Sequence, residues 1–129
     1  MLERILYAED DDDIQQIAII ALEAIGGFTL KVCNDGAEAL TAIEHFDPQL
    51  LLLDVMMPNM DGPKAFTKIR EIEAFKNTPA IFMTAKIQPE EVSQYLEMGA
   101  IGVIAKPFDP MTLADQVRDI WEKSEKQND

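Results

Sequence analysis

Cysteine, histidine and tryptophan each occur once in this chain of 129 residues, and their scarcity excludes several kinds of chemistry. Because Cys33 has no second cysteine, no disulfide can form within the chain, which fits a protein of the reducing cytoplasm. Cys33 and His45 together provide too few ligands for a zinc site. No apolar stretch approaches the roughly 20 residues that span a bilayer, so we expect neither a membrane segment nor a membrane partner.

Basic side chains are also scarce, with 11 Lys and Arg against 24 Asp and Glu, which gives a formal net charge of −13. Such a surface repels the phosphates of nucleic acids, so we expect no direct nucleic-acid binding, whereas cationic partners and divalent metal ions are compatible with it. The length and an apolar content of 47% predict a single globular domain over residues 1–129. The polar tail from about residue 123 to residue 129 is expected to fray.

What the chain does contain is a series of short apolar segments that alternate with segments of helical periodicity. Four leucines at residues 50–53, bounded by Pro48 and Pro58, are too few for a helix and predict a strand buried on both faces. The alternation predicts a strand followed by a helix five times over, hence an α/β fold with a parallel sheet and helices on both faces. The predicted strands are residues 5–8, 28–32, 50–53, 79–83 and 102–105.

Helix starts are marked by acidic side chains. Asp12, with Gln15 three residues later, is the expected cap of the first helix. Asp35 is the expected cap of the second helix, and Asp61 followed by Gly62-Pro63 starts the third. The fourth helix is expected at about residues 89–98 and the fifth from near Pro110.

Four of the predicted strands end in side chains that carry a charge or a hydroxyl. Glu9 and Asp10 follow the first strand, Asp54 the third, Thr84 the fourth and Lys106 the fifth. The carboxyl ends of parallel strands share one edge of the sheet, which is where α/β proteins bind ligands. Asp54 is the first candidate, because a carboxylate beside a buried strand is costly unless a charged or hydrogen-bonding group meets it. The alternative is that Asp54 only caps the turn over residues 59–62.

This set of three carboxylates, a hydroxyl and an ammonium group favours phosphoryl chemistry with a metal ion. Carboxylate, carbonyl and water oxygens are the ligands of Mg²⁺ in proteins. Lys106 can pair with Asp54 or with a phosphoryl group, and Thr84 can donate a hydrogen bond to the same anion. The simplest reaction is phosphoryl transfer onto Asp54, in which the cations neutralise the oxygens of an in-line transition state.

The chain resembles the receiver domains of the two-component response regulators, including the single-domain chemotaxis regulators. The matching stretches are residues 5–13, 50–62 (LLLLDVMMPNMDG), 83–86 and 105–108, and the second and fourth are the most specific. The resemblance covers essentially the whole chain. It implies a flavodoxin-like, doubly wound (βα)5 fold whose five-stranded parallel sheet has the order 2-1-3-4-5.

The resemblance also implies a role for each residue of the set. Asp54 would be the phosphoacceptor, with Lys106 and Thr84 in contact with the phosphoryl group. The Mg²⁺ ligands would be Glu9, Asp10, Asp54 and the backbone carbonyl of Met56, and the peptide bond before Pro107 would be cis.

The function implied is a phosphorylation-regulated signalling domain rather than an enzyme acting on a free substrate. A histidine kinase or histidine phosphotransfer protein would donate the phosphoryl group. The added charge would shift the surface formed by the fourth helix, the fifth strand and the last helix. Because the chain shows no attached output domain, the expected output is contact with a downstream protein target or passage of the phosphoryl group onward.

Two positions depart from the family pattern. Glu9 stands where aspartate is usual, so we expect Glu9 to bind the metal through water and the Mg²⁺ affinity to differ. Val103 stands where an aromatic switch residue is common, and valine cannot swing a ring between rotamers. Met56 and Lys86, each two residues past a site residue, flank the approach to Asp54 and are expected to modulate how long the phosphoryl group survives.

Three other functions are alternatives to a phosphorylation-regulated signalling domain. Glu9 and Val103 leave open a receiver-like interaction scaffold that works without phosphorylation. A metal-dependent phosphohydrolase would need a second acid two residues after Asp54, where the chain has Met56. A flavin-binding protein of the same architecture would need a Ser/Thr/Gly-rich phosphate loop, which none of the strand ends provides.

In the fourth helix, packing is favoured over a partner surface for Val92, Tyr95 and Leu96.

Overall fold

The computed structural model describes residues 1–127, which form one five-stranded parallel sheet between two layers of helices. The strand order is β2-β1-β3-β4-β5, and every neighbouring pair is parallel. The predicted fold class and strand order are therefore confirmed. The strands are β1 (Arg4–Ala8), β2 (Thr29–Cys33), β3 (Leu50–Asp54), β4 (Ala80–Thr84) and β5 (Gly102–Ala105).

A helix follows each strand. The first continues from an α-helical part into a wider π-helical turn at Ile20–Ile25, and a short 3₁₀ turn at Glu73–Phe75 follows the third. No helix among residues 1–127 combines the length and the apolar character needed to cross a bilayer. The α-helices are α1 (Asp12–Ile19), α2 (Gly36–Phe46), α3 (Gly62–Arg70), α4 (Pro89–Glu97) and α5 (Leu113–Gln127).

Leu50 to Leu53 of β3 are fully buried and divide between the two faces of the sheet. Leu50 and Leu52 point into the core under α1 and α5, while Leu51 and Leu53 point into the core on the other face. This alternation confirms the prediction of a strand buried on both sides. Cys33 lies in the second core as a free thiol, and burial raises its pKa to about 11, as suits a small apolar residue.

The predicted helix caps are confirmed at two helices and wrong at the first. The carboxylates of Asp35 and Asp61 each accept the backbone N–H three residues on, at 2.8 Å. At α1 the cap is Asp11, not Asp12, because Asp11 has the extended backbone that a cap needs and accepts from the N–H groups of Asp13 and Ile14. Gln15 is not part of a capping box; its amide donates to the Glu9 carbonyl and to Asn34.

The last helix also differs from its prediction at both ends. It begins at Leu113, not near Pro110, because a turn intervenes in which Asp109 accepts hydrogen bonds from Met111 and Leu113. The expected fraying from residue 123 is wrong as far as residue 127, since α5 continues to Gln127. The inner face of α5 packs on the core, and the glutamates, lysines and glutamine that follow are good helix formers. Residues 128 and 129 lie outside the described residues.

The fourth helix packs less than predicted. None of its residues is fully buried, and Leu96 is 47% exposed, so the assignment of Leu96 to the packed side is wrong. Tyr95 is half-buried and packs on the core. Val92 is half-buried as well.

The buried hydroxyl of Tyr7 provides a test of the core. Tyr7 is 0% exposed, and its hydroxyl has no hydrogen-bond partner among residues 1–127. Because an unpartnered buried polar group costs about 1–3 kcal/mol, we expect Tyr7→Phe to raise the free energy of unfolding by about 1 kcal/mol. Urea unfolding measures this change. Tyr95→Phe, at a half-buried ring, is the control with little expected change; a clear loss in Tyr7→Phe would show that an ordered water satisfies the hydroxyl.

Candidate functional site

The carboxyl ends of four strands bring the predicted residues to one edge of the sheet. Asp54 and Thr84 are the last residues of β3 and β4, while Glu9 and Lys106 come directly after β1 and β5. The register places Asp54 opposite Met83 and Thr84 opposite Ala105, so the strand ends are level. These residues are far apart in sequence, each at the end of a different strand. They lie together only because the strands are parallel and end at the same edge of the sheet.

Three carboxylates form the acidic part of the site. Glu9, Asp10 and Asp54 each offer one oxygen, and these oxygens lie within 4.8 Å of one another. Glu9 and Asp54 are buried, at 1% and 5% exposure, whereas Asp10 is exposed to solvent. Hard oxygen donors that are partly open to water are the donor set that Mg²⁺ takes, since this ion keeps several waters. The residues present therefore fit a magnesium ion.

Lys106 provides the cationic part. Its Nζ lies 2.8 Å from Oε1 of Glu9 and 3.1 Å from Oδ1 of Asp54, with 14% of the side chain exposed. Burial lowers the pKa of Lys106, but the hydrogen bonds to Glu9 and Asp54 outweigh burial and raise it above its ordinary value. The ammonium group is thus charged and spans the two buried carboxylates. The peptide bond between Lys106 and Pro107 is cis, as the resemblance implies.

The longer side chain of Glu9 lets its carboxylate engage the protein at both oxygens. Oε1 binds Lys106, and Oε2 accepts the backbone N–H of Asp11 at 3.3 Å. Burial raises the pKa of Glu9, the Lys106 hydrogen bond opposes this, and the charge of Asp54 adds to the rise, so the pKa lies above its usual range. A metal ion bound by Glu9 would compete with Lys106 for its carboxylate. Metal binding through water stays a prediction.

Thr84 is buried, and its hydroxyl oxygen accepts the backbone N–H of Lys86 at 3.1 Å. A hydroxyl can accept and donate at once, so Thr84 can still donate its proton to an anion on Asp54. The same hydrogen bond fixes the start of the loop between β4 and α4. Any change in the orientation of the Thr84 hydroxyl therefore acts directly on that loop.

The turn after β3 does not use the Asp54 side chain as a cap. Asp61 caps α3, and the amide of Asn59 donates to Asp35 at 2.7 Å. Gly62 closes the turn because a Cβ there would lie 2.3 Å from the carbonyl oxygen of Asp54. The alternative of a turn-capping Asp54 is therefore wrong, since its carboxylate contacts Lys106 instead.

A cleft of about 570 Å³ surrounds the site and includes residues that sequence reasoning did not assign to it. Met56 and Lys86 lie on its walls, and Met56 is 79% exposed. Val103 does not line the cleft; it lies one strand away, in register with Phe82. The additional lining residues come from the start of α1, from α4 and from the positions directly after Asp54 and Thr84. The helical spacing of Ile14 and Tyr95 indicated packing and not proximity to this edge. The residues are Asp11, Ile14, Val55, Ala85, Glu91, Gln94 and Tyr95.

Comparison with known proteins gives a consistent result. A sequence-family model described as the response regulator receiver domain matches residues 5–118. The DNA-binding response regulator MtrA of Mycolicibacterium smegmatis is 37% identical over 118 residues, which cover 92% of this chain and 50% of that protein. The regulatory protein AtoC of Escherichia coli is 36% identical over 108 residues, or 84% of this chain and 23% of that protein. The chain thus spans about half the length, or less, of these curated relatives.

Solved structures agree with the sequence relatives. The chemotaxis response regulator CheY4 of Vibrio cholerae superposes with a TM-score of 0.85 at 28% identity, covering 93% of this chain and 99% of that one. A CheY-like response regulator receiver domain protein from Methanospirillum hungatei gives a TM-score of 0.82 at 27% identity, covering 98% and 99%. The likeness therefore extends over the full sheet and its helices.

The contact between Glu9 and Lys106 makes a prediction about metal affinity. In Glu9→Asp the shorter side chain reaches Lys106 less well, so less of the ion pair must be given up to a metal ion. We expect Mg²⁺ to bind about threefold to fivefold more tightly, the scale of one weakened hydrogen bond. Calorimetric titration with Mg²⁺ measures the change. Glu44→Asp, the same substitution at an exposed position of α2, is the matched control, and weaker binding by Glu9→Asp would contradict the competition.

Proposed function

The chain belongs to the response regulator receiver family, and from this premise we propose that it accepts a phosphoryl group on Asp54 with the help of Mg²⁺. The single observation that carries the proposal is the position of the Asp54 carboxylate. It lies at the end of a buried strand, 3.1 Å from Lys106 and within ligand distance of Glu9 and Asp10. A nucleophile, a cation and a metal-binding pair are thereby assembled in one cleft.

The proposed reaction is transfer from a phosphohistidine of a histidine kinase or histidine phosphotransfer protein. A carboxylate oxygen of Asp54 attacks phosphorus, an acyl phosphate bond forms, and the phosphorus–nitrogen bond of the donor breaks with its electron pair going to the imidazole. Glu9, Asp10, Asp54 and the Met56 carbonyl would hold Mg²⁺, which when bound would supply positive charge at the transferring oxygens. Lys106 supplies a second positive charge that the protein has already positioned.

After transfer, Thr84 and Lys106 hold the phosphoryl group. Lys106 Nζ already lies against the acceptor carboxylate, and the Thr84 hydroxyl can donate to the new oxygens. Met56 and Lys86 stand at the mouth of the cleft, where they control the access of the water that hydrolyses the acyl phosphate. Val103 leaves the switch without an aromatic ring on β5, so the movement is transmitted through Thr84 and its loop.

The proposed output is contact with a downstream protein. Receiver domains interact with histidine kinases and with downstream targets in two-component signalling. A phosphoryl group adds nearly two negative charges to the cleft, and the resulting shift changes the surface of α4, β5 and α5. On this proposal the domain works in the cytoplasm and assists only its own phosphorylation and dephosphorylation. It does not turn over a free substrate, and its own surface, with a net charge of −13, does not bind nucleic acid.

Labelling with acetyl phosphate and Mg²⁺ tests the acceptor. We expect intact-mass spectrometry to show one added phosphoryl group, labile to hydroxylamine as an acyl phosphate is. Asp54→Asn removes the nucleophile and should abolish the label entirely. Asp61→Asn, a nearby substitution that keeps a capping side chain at α3, should be labelled like the parent protein.

The same experiment separates the proposal from its alternative, an interaction scaffold that needs no phosphorylation. A label that persists in Asp54→Asn would assign the acceptor to another residue. An unlabelled parent protein that also fails to bind Mg²⁺ at millimolar concentration would favour the scaffold. Lys106→Met should still bind Mg²⁺ but accept the phosphoryl group more slowly, by about tenfold or more, since one positioned charge is lost from the transition state.

A further inference from the structure

Helix α4 borders the Asp54 cleft and is weakly attached to the rest of the domain. It contains no buried residue, and Gln88 at its N-terminus makes no side-chain capping hydrogen bond. Residues 85–88, which lead into it, and its first two residues, Pro89 and Glu90, are all exposed. Such an element opens and shifts at lower free energy than the helices that bury side chains on both sides of the sheet.

Tyr95 is the attachment that α4 has. Among residues 1–127, it is the one side chain of α4 that packs against the buried core. Its ring meets Phe82 of β4 edge-on, with centroids 5.0 Å apart, and Phe82 meets Phe66 of α3 at 5.7 Å. Three rings thus connect α3, the sheet and α4.

The same ring lies next to the phosphoacceptor cleft. Side chains alternate along a strand, so Phe82 and Thr84 point to the same face of β4, one step apart. Tyr95 also lines the cleft together with Thr84, Lys86 and Asp54. One aromatic contact therefore links the position of α4 to the strand end that carries Thr84.

The neighbouring strand β5 has a small side chain beside Phe82. Val103 of β5 is in register with Phe82, and it is smaller than an aromatic residue. Burial raises the pKa of Tyr95, and the charges of Glu91 and Asp61 raise it further. The ring is held by packing on Phe82 while its hydroxyl remains neutral.

We infer that Tyr95 is a positioning residue that couples the occupancy of the Asp54 cleft to the placement of α4. When the Thr84 hydroxyl turns to donate its proton to an anion on Asp54, its oxygen shifts relative to the Lys86 N–H that it accepts, and the loop moves with it. Helix α4 moves with the loop. Because Tyr95 attaches α4 to the core, its contact with Phe82 has to change when the helix moves. The inference rests on the proposed function, because it requires that an anion binds at Asp54.

Fluorine NMR tests the coupling directly. The protein is labelled with 3-fluorotyrosine, and Tyr7→Phe leaves Tyr95 as the only resonance, because the chain has two tyrosines. Adding Mg²⁺ and beryllofluoride, which imitates a phosphoryl group, should shift or broaden that resonance. Asp54→Asn should show no response. Backbone amide shifts of Asp54 and Thr84 report independently whether beryllofluoride is bound.

The amide readout separates the two ways in which the experiment can fail. Amides of Asp54 and Thr84 that respond while the Tyr95 resonance does not would overturn the coupling and leave the proposed function standing. Amides that do not respond at all would overturn the proposed function.

Hydrogen exchange of residues 89–97 provides the variant test. Tyr95→Ala should speed exchange of α4 by roughly fivefold or more, the scale of one edge-to-face aromatic contact, and should remove the further effect of beryllofluoride. Tyr95→Phe keeps the ring and should restore both the protection and the response. Leu96→Ala, at an exposed position of the same helix, should behave like the parent protein; a loss of response equal to that of Tyr95→Ala would overturn the specific role of Tyr95.

Discussion

The ammonium group of Lys106, held between the carboxylates of Glu9 and Asp54, is the interaction on which the rest of the site depends. Two nearly inaccessible carboxylates side by side repel each other, and a cation that contacts both offsets the repulsion. Lys106 reaches them from β5, 97 positions along the chain from Glu9. The contact therefore forms only when the sheet is complete, so the charge balance of the site is a property of the whole fold. A metal ion or a phosphoryl group entering the cleft would have to change the contacts of Lys106 with Glu9 and Asp54.

Much of the fold and of the site could be predicted from the sequence, because two periodicities and one rule of topology determine them. The leucines of β3 divide between two cores, which is possible only in a sheet covered on both faces. A parallel sheet then carries the residues after each strand to one edge. Asp54, Thr84 and Lys106 could be placed together on this argument without any knowledge of their distances. The resemblance added the strand order and the cis peptide bond, which the structure contains.

The features that could not be predicted depend on choices between chemically similar neighbours. Five consecutive acids from residue 9 to residue 13 all suit a helix start, and only the backbone conformation selects Asp11 as the cap. The partner of Glu9 is decided by side-chain length, which brings its carboxylate within 2.8 Å of Lys106. The exposed face of α4 was mispredicted because Val92, Tyr95 and Leu96 share helical spacing, whereas the groove beside Phe82 holds one large ring. Periodicity identifies the apolar side of a helix but not how closely that side approaches the core.

The helices differ in how many side chains they bury, and this difference determines which helix can move when the site changes. Helices α1, α2, α3 and α5 each bury side chains, so moving any of them exposes apolar surface to water. Helix α4 buries none completely, and its loop begins at the hydrogen bond that Thr84 accepts from Lys86. A change in that hydrogen bond can therefore move α4 at a lower free-energy cost than it could move any of the other four helices. The edge of the sheet that carries Asp54 and Lys106 is thus held by buried strands and by four helices that bury side chains. Helix α4 is held by the half-buried ring of Tyr95, so it is the element that can shift most easily.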